Sequence, residues 1–367
     1  MTELERRAVL AVWTLPGVGA KALGLLEGLA PRADWFTLRL SELAGLLGLK
    51  DDAREALVAW GSLEAQCERV EKALRLDHQR VCFQGDPEYP SRLAGVRNAP
   101  PLLFFRGPGA VAQTRGRVAV VGTRRPQREW LAWTAQLASA CAGQGLVVTS
   151  GAAEGIDTAA HHGALTGRGI TWAFVASGLD VIDAAPRSIV TRLLRVGGSV
   201  FSEYPPSVRA KEGLFVQRNR LISGSADVVV VVRGAADSGA RHTAHAARTQ
   251  QRPLLAVPAS PLERGAELCQ ALLRDGARPC FDVNDVLRAQ GLVQMAPSAA
   301  PVSEERGLVS DEAREIFAAL PQGLFDMEQA VGASPQKSSG AIAAALMELE
   351  LAGWLAGRSG RRYEKRE

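Results

Sequence analysis

The sequence is short of several residue types, and each scarcity excludes a class of protein. Its 367 residues include five cysteines, and none of them stands in a Cys-x-x-Cys pair. A disulfide-stabilised domain or a structural zinc site needs cysteines at closer spacing. We therefore expect no metal site and five small core residues: Cys67, Cys82, Cys141, Cys269 and Cys280.

Long apolar runs are missing as well. No eighteen consecutive residues are apolar and free of charge, and the first residues, MTELERRAVLAVWTLPG, lack the apolar core and cleavage site of a signal peptide. We therefore expect a cytoplasmic protein with no membrane partner. The net charge of +4 favours an anionic partner only weakly.

Patterns along the chain divide it into four segments. Residues 1–76 show helical patterns and no strand signals. Residues 80–290 alternate apolar strand-like runs with helical patterns, which predicts an α/β domain with a mainly parallel sheet between two layers of helices. Residues 291–306 are rich in Pro, Ala and Ser and lack periodicity, so we expect a linker. Residues 307–367 predict a small helical module that ends in a turn and a basic strand.

The stretch VAVVGTRRP, residues 118–126, joins an apolar strand to a helical pattern. Gly122 lies at the junction, where α/β folds bind anions because a helix amino end offers unpaired N–H groups and partial positive charge. The dinucleotide fingerprint needs further glycines, but Thr123, Arg124 and Arg125 follow here. Arginine binds phosphate oxygens with two parallel hydrogen bonds. The loop therefore predicts a phosphate site, for either one nucleotide or a long phosphate chain, and a solvated basic edge is the alternative.

An aromatic and basic cluster follows in FVQRNR, residues 215–220, with Lys211 before it. An exposed aromatic ring stacks on any base, while nearby cations bind the backbone without reading sequence. This pattern favours single-stranded nucleic acid as the ligand. In the alternative interpretation, Phe215 packs in the core and the arginines pair with the carboxylates of Glu203 or Asp227.

A further helix start lies at Ser238 and Gly239, directly after the apolar run DVVVVV. In open α/β sheets the ligand crevice lies at the carboxyl ends of the strands. We therefore expect the loops that contain Thr123, Phe215 and Ser238 to line one groove. Ser238 serving only as a helix cap is the alternative.

These motifs belong to an ordered series. The series is GTRRP, SGAAEGIDTAAHHGAL, SGLDVIDAAP, SEYPP, FVQRNRLISGSADVVVVV, SGARHTAHAA and AVPAS. This order, and above all F-x-x-R-N-R, resembles the DNA processing protein A (DprA/Smf) family over most of residues 80–290. The chain departs from the family pattern at IDAAP, where a tyrosine–proline pair is expected.

The resemblance implies an extended Rossmann-like, doubly wound sheet. An N-terminal helical domain of the SAM or helix-hairpin-helix type and a C-terminal winged-helix module would flank it. LPGVG at 15–19 is similar to the hairpin of the former.

The implied function is that of a homodimer that binds and protects incoming single-stranded DNA and helps load the RecA recombinase during natural transformation. Neither catalysis nor a cofactor is implied, and double-stranded DNA remains an open second partner. The implied DNA-binding residues are Gly122, Thr123, Arg124, Arg125, Lys211, Phe215, Arg218, Asn219, Arg220, Ser238 and Gly239.

Two other functions stay open. Asp157 and His161 are four residues apart in a helical pattern, so their side chains would share one face as an acid–base pair does. That spacing fits a nucleotide-binding or nucleotide-hydrolysing Rossmann enzyme. The other alternative is a duplex-binding regulator that works through the C-terminal module.

Overall fold

The computed structural model describes residues 1–38, 40–48, 54–55, 61–110, 114–292, 309–352, 354–358 and 362–365. The chain forms two compact units, Met1–Gln294 and Met295–Glu367. From residue 293 onward, the predicted linker at 291–306 lies outside the described residues. The finer division of the first unit into domains at 1–76 and 80–290 stays a prediction.

The first unit begins with helices, and the described part of residues 1–76 contains no strand. Its helical segments include Glu3–Trp13, Ala20–Leu29, the 3-10 helix Arg32–Thr37, Leu40–Leu46 and Leu63–Leu76. The first helix starts where Thr2 and Glu5 cap one another's backbone N–H groups. Its buried end reaches the sheet, because the indole Nε1 of Trp13 donates to the carbonyl oxygen of Glu203 at 3.0 Å.

Nine strands of the first unit form one sheet in the order β1-β2-β6-β5-β4-β3-β7-β8-β9. The strands are β1 Arg80–Phe83, β2 Leu102–Arg106, β3 Gly116–Val121, β4 Leu146–Ser150, β5 Thr171–Phe174, β6 Ser199–Ser202, β7 Val228–Val231, β8 Leu254–Ala256 and β9 Arg278–Pro279. The pairs β1–β2 and β2–β6 are antiparallel, and the remaining pairs are parallel. The sheet is therefore mainly parallel, as the sequence predicts, with an antiparallel edge.

The central strands are buried along their length, which is typical of a sheet covered on both faces. The helices between and after the strands are Ser91–Ala94, Arg128–Gly143, Ile156–Thr166, Ala184–Arg195, Glu212–Gly224, Ala240–Thr249, Glu267–Arg274 and Val283–Ala289. Alternate residues of β3 enter different cores: Val118 and Val120 pack with Ala138, whereas Ala119 and Val121 belong to the opposite core. This confirms helices on both faces of the sheet.

The chain reverses its direction of travel across the sheet at β3. From β3 it moves through β4 and β5 to β6, then crosses back to β7 on the other side of β3. Loops that leave neighbouring strands in opposite directions open a crevice at the strands' carboxyl ends. We call the crevice between β3 and β7 the switch point.

The second unit has its own apolar core, which includes Ile316, Phe325 and Leu346. Its helices are Asp311–Ala319, Met327–Ala333 and Ser339–Leu351. Three antiparallel strands, β10 Leu324–Asp326, β11 Leu355–Arg358 and β12 Arg362–Lys365, pair in the order β10-β12-β11. The basic strand expected at the end of the chain corresponds to β12, and the turn expected before it lies outside the described residues.

All five cysteines are buried and unpaired, which confirms them as core residues. Burial raises the pKa of the Cys67 and Cys141 thiols to about 12, so neither is a thiolate at neutral pH. Within the described part of the chain, no helix has both the length and the apolar character needed to cross a bilayer.

Candidate functional site

A cavity of about 680 Å³ opens at the switch point. The loops after β3 and β7 line it, together with the first turns of the helices Glu212–Gly224 and Ala240–Thr249. We call it the switch-point cavity. The predicted residues that line it are Gly122, Thr123, Arg124, Lys211, Phe215, Arg218, Asn219, Ser238 and Gly239.

Arg124 and Phe215 contact each other in the lining of this cavity. The Arg124 guanidinium carbon lies 5.0 Å from the centroid of the Phe215 ring. Arg124 is exposed, Phe215 is half-buried, and Lys211 on the same cavity wall is exposed. Among the described residues neither cation has a carboxylate partner. A flat ring and two free cations therefore face the cavity.

Arg218 lies beneath this pair and is only 3% exposed. Its Nη1 donates to the carbonyl oxygens of Gly151, at 2.7 Å, and of Phe174. The Gly151 N–H in turn donates to the Asp157 carboxylate at 3.1 Å. Arg218 and Asp157 thus hold the loop after β4 from both sides.

Burial shifts the pKa of both groups. It lowers the pKa of Arg218 to about 10, although the Asp157 charge acts in the other direction. It also raises the pKa of Asp157, against the nearby charge of Arg218 and the backbone N–H groups. Arg218 remains charged at neutral pH and supplies a fixed positive charge to the cavity floor.

Two predicted residues do not line the cavity. Arg220 Nη2 donates to Glu203 Oε2 at 2.5 Å, and Glu203 is buried. This ion pair is the alternative that the sequence left open for Arg220. Arg125 is exposed, and its backbone N–H donates to Thr123 Oγ1 at 3.3 Å.

The expectation that helix and loop N–H groups converge on an anion after Gly122 is wrong at Thr123. The Thr123 N–H donates to the Arg233 carbonyl oxygen at 2.8 Å, which extends the pairing of β3 with β7. The helix that follows starts only at Arg128. Gly122 is required by packing, because a Cβ there would lie 2.7 Å from Ile156 Cγ1.

The helix Ala240–Thr249 does begin at the cavity. Gly239 is its N-cap residue, and Ser238 Oγ accepts a long hydrogen bond from the Ala240 N–H at 3.4 Å. Asn219 Nδ2 donates to the Gly239 carbonyl oxygen at 3.3 Å and links the two helices that form this wall. Ser238 therefore takes part in capping, and it also lines the cavity.

Sequence reasoning missed three acidic side chains of the cavity. Asp183, Glu212 and Asp237 line it together with the cations and with Asp157, which the sequence indicated only as part of an acid–base pair. Asp183 lies in IDAAP, where the chain departs from the family pattern. That departure is the sequence feature that could have indicated a changed side chain in the cavity. Among the described residues no three His, Cys, Asp or Glu side chains lie close enough to hold a metal ion.

The predicted pairing of Asp157 with His161 is absent. His161 is fully buried, and its Nδ1 lies 2.6 Å from Thr171 Oγ1. The Thr171 hydroxyl donates to the Val148 carbonyl oxygen, so His161 Nδ1 is the donor towards Thr171. Burial lowers the pKa of His161 to about 3. His161 lies outside the cavity lining, so the hydrolytic alternative loses its base.

Comparison with known proteins identifies the family. The model of the family described as DNA recombination-mediator protein A matches residues 80–291, more than half of the chain. The chain belongs to this family, the DprA/Smf family.

Several DprA/Smf relatives match over most of their length. A putative DNA processing protein DprA of Mycobacterium tuberculosis is 34% identical over 270 residues, which is 72% of this chain and 68% of the relative. Protein Smf of Synechocystis is 27% identical over 314 residues, or 77% of this chain and 79% of the relative. The likeness therefore extends beyond the sheet domain alone.

Two solved DprA structures share the fold. DprA from Streptococcus pneumoniae superposes with a TM-score of 0.62 at 27% identity, over 78% of this chain and 98% of that one. DNA processing protein A from Helicobacter pylori gives a TM-score of 0.51 at 26% identity, over 57% of this chain and 94% of that one. The latter structure is described in terms of the single-stranded DNA binding mode of that protein.

Proposed function

We propose that this protein binds single-stranded DNA without base preference, protects the incoming strand and helps load the RecA recombinase during natural transformation. It acts as a binding protein and carries out no reaction on the strand. The observation that carries the proposal is the exposed Arg124 over the half-buried Phe215 ring in the switch-point cavity. The single-stranded DNA binding described for the Helicobacter pylori relative supports it.

The roles proposed for the residues follow from their exposure. A base stacks on Phe215, while Arg124, Arg125 and Lys211 contact phosphates. Gly122, Thr123, Asn219, Ser238 and Gly239 shape the cavity wall and offer polar contacts. Arg218 contributes charge from the floor, and Arg220 fixes its helix against Glu203 outside this cavity.

Four carboxylates line the cavity beside these cations and affect how it binds DNA. The three exposed ones, Asp183, Glu212 and Asp237, repel a polyanion, so affinity depends on a few exposed cations more than the arginine content of the loop suggests. If about four phosphates are neutralised, a fourfold rise in salt weakens binding about fiftyfold. Binding that does not change with salt contradicts the proposal.

Substitution of the stacking pair tests the site. Phe215→Ala removes one stacked base and should raise the Kd for oligo-dT by about 5- to 150-fold in a fluorescence anisotropy titration. Arg124→Ala combined with it should remove most of the remaining affinity. Arg195→Ala, on a helix outside the cavity, is the matched control and should bind as the wild type does.

A mononucleotide panel separates the proposal from the nucleotide-binding alternative. A polyanion site should bind oligo-dT far more tightly than any mononucleotide, because each additional phosphate releases further counterions. Tighter binding of a mononucleotide, or wild-type affinity in the double variant, would refute the proposal.

We also propose that the protein is a homodimer. Among the described strands β9 pairs with β8 alone, and exposed apolar side chains lie in the loops that follow these two strands: Leu262 is 92% exposed and Phe281 is 66% exposed. Such an edge favours association with another copy. Light scattering of the full chain tests this, and a monomer mass at micromolar concentration contradicts it.

The terminal parts are proposed as accessory modules. In the second unit, the order helix, strand, helix, helix and two-stranded hairpin supports a winged-helix module with double-stranded DNA as its ligand. At the other end, the turn at 15–19 between the helices Glu3–Trp13 and Ala20–Leu29 supports a SAM or helix-hairpin-helix type of domain. A duplex titration of the full chain tests the first assignment, and loss of duplex affinity on removing residues after 294 is the expected result.

A further inference from the structure

A second cavity, of about 700 Å³, lies on the side of the sheet that carries the same helix pair. The helix Ser91–Ala94 and the loop after it form one wall, and the last turns of Glu212–Gly224 and Ala240–Thr249 form the other. We call it the arginine cavity. Its cationic and ionisable lining residues are Arg92, Arg97, Arg220, His245 and Arg252.

The arginine cavity differs from the switch-point cavity in its acidic side chains. Among the described residues, no carboxylate lines the arginine cavity. Arg92 pairs with Asp227 and Arg220 with Glu203 behind the cavity wall, whereas Arg97 has no partner within the described part of the chain. The lining therefore carries positive charge that the protein does not neutralise.

Arg252 shows the same excess of positive charge. Its Nη2 donates to the carbonyl oxygens of Arg92 at 2.8 Å and Gly224 at 3.0 Å, so the guanidinium is held in place by neutral groups. Burial lowers the pKa of Arg252, and the charges of Arg92 and Arg117 lower it further, although the Asp227 charge acts in the other direction. An anion bound here would relieve the repulsion.

The two cavities lie along one helix pair. On Ala240–Thr249, His242 lines the switch-point cavity and His245 lines the arginine cavity, which is one helical turn further on. On Glu212–Gly224, Asn219 lines the first and Arg220 the second. Along the helix axes, the step is about 4.5 Å from His242 to His245 and about 1.5 Å from Asn219 to Arg220, so the two cavities adjoin and one strand can occupy both.

We propose that the arginine cavity is a second phosphate site for the same single strand, which extends the bound segment beyond the switch-point cavity. This inference rests on the proposed function. Among the described residues the arginine cavity has no Phe, Tyr or Trp in its lining, so it holds the phosphate backbone and stacks no base. Continuity with the first cavity favours a polynucleotide over a free anion.

The length dependence of binding tests the inference. Oligo-dT of about 2 nucleotides, too short to occupy both cavities, and of about 20 nucleotides is titrated against wild type, Arg97→Gln with His245→Gln, and the control Arg195→Gln. Both altered side chains are exposed, and circular dichroism checks that the variant folds. We expect the double variant to raise the Kd of the long strand at least fivefold, to leave that of the short strand unchanged, and to reduce the salt slope by about 0.7 for each lost phosphate contact.

The outcomes separate the two claims. If wild type binds neither strand, the proposed function fails and this inference fails with it. If wild type binds both strands and the double variant matches it on the long one, only the inference is overturned. Calorimetry with inorganic phosphate adds a third arm: phosphate that binds the wild type and is not displaced by the long strand marks a small-anion site, which also overturns the inference.

Discussion

At the residue scale, burial rather than motif membership separates the arginines of FVQRNR. Arg218 and Arg220 are two residues apart on a helix, so their side chains point to different faces. Arg218 therefore reaches the floor of the switch-point cavity while Arg220 pairs with Glu203. Helical spacing alone predicts this separation, and it also predicts that Phe215 and Arg218 share a face. It does not predict that Arg218 is buried, because that depends on the loop at Gly151.

His161 provides a test of burial at the same scale. Its pKa is lowered to about 3 in the folded protein, so between about pH 6.5 and pH 3 the unfolded chain binds more protons than the folded one. The contribution of His161 to the free energy of unfolding is fully present above pH 6.5. It falls as the pH decreases, by about 1.4 kcal/mol per pH unit within that window.

His161→Asn places an amide nitrogen near the position of Nδ1, so it keeps a donor towards Thr171 and removes the titration. Its unfolding free energy from urea titrations should fall less steeply than that of the wild type between pH 6 and pH 4. Equal slopes in the two proteins would show that His161 is not buried as a neutral side chain.

At the element scale, apolar runs predict the strands and their buried central position, since each run is followed by a helical pattern. They do not predict that β2 runs antiparallel to its two neighbours, β1 and β6, because strand direction depends on how connections cross the sheet. Apolar runs also do not predict the backbone pairing of the loop after β3. Its Thr123 N–H continues the ladder to the Arg233 carbonyl, and pairing beyond a strand end is not visible in composition.

The close contact between the helices Arg128–Gly143 and Ile156–Thr166 gives an element-scale prediction. A Cβ at Gly163 would overlap the backbone of Ala135, lying 2.7 Å from its Cα. Gly163→Ala should therefore destabilise the protein by about 1–3 kcal/mol in urea unfolding, because the helices must move apart. Gly143→Ala has open space at its Cβ and should be neutral or slightly stabilising. Equal stability of both variants contradicts the packing.

At the scale of the whole molecule, the two units have separate cores and separate proposed functions: the first binds single-stranded DNA and the second binds duplex DNA. The switch-point and arginine cavities both lie in Met1–Gln294. A chain cut after residue 294 should therefore keep its affinity for oligo-dT within about twofold, since it loses none of the phosphate contacts proposed for either cavity. Anisotropy titration of the cut and full chains measures this. Loss of single-strand binding in the cut chain would favour a regulator that works through the C-terminal unit.

The central claim is that a base stacks on Phe215 at the switch point. The most direct test is photocrosslinking of oligo-dT that carries 5-iododeoxyuridine, followed by mass spectrometry of the modified peptides. The account predicts an adduct on the peptide that contains Phe215, which is lost in Phe215→Ala. Adducts confined to the C-terminal unit, or an unchanged pattern in the Phe215→Ala variant, would contradict it.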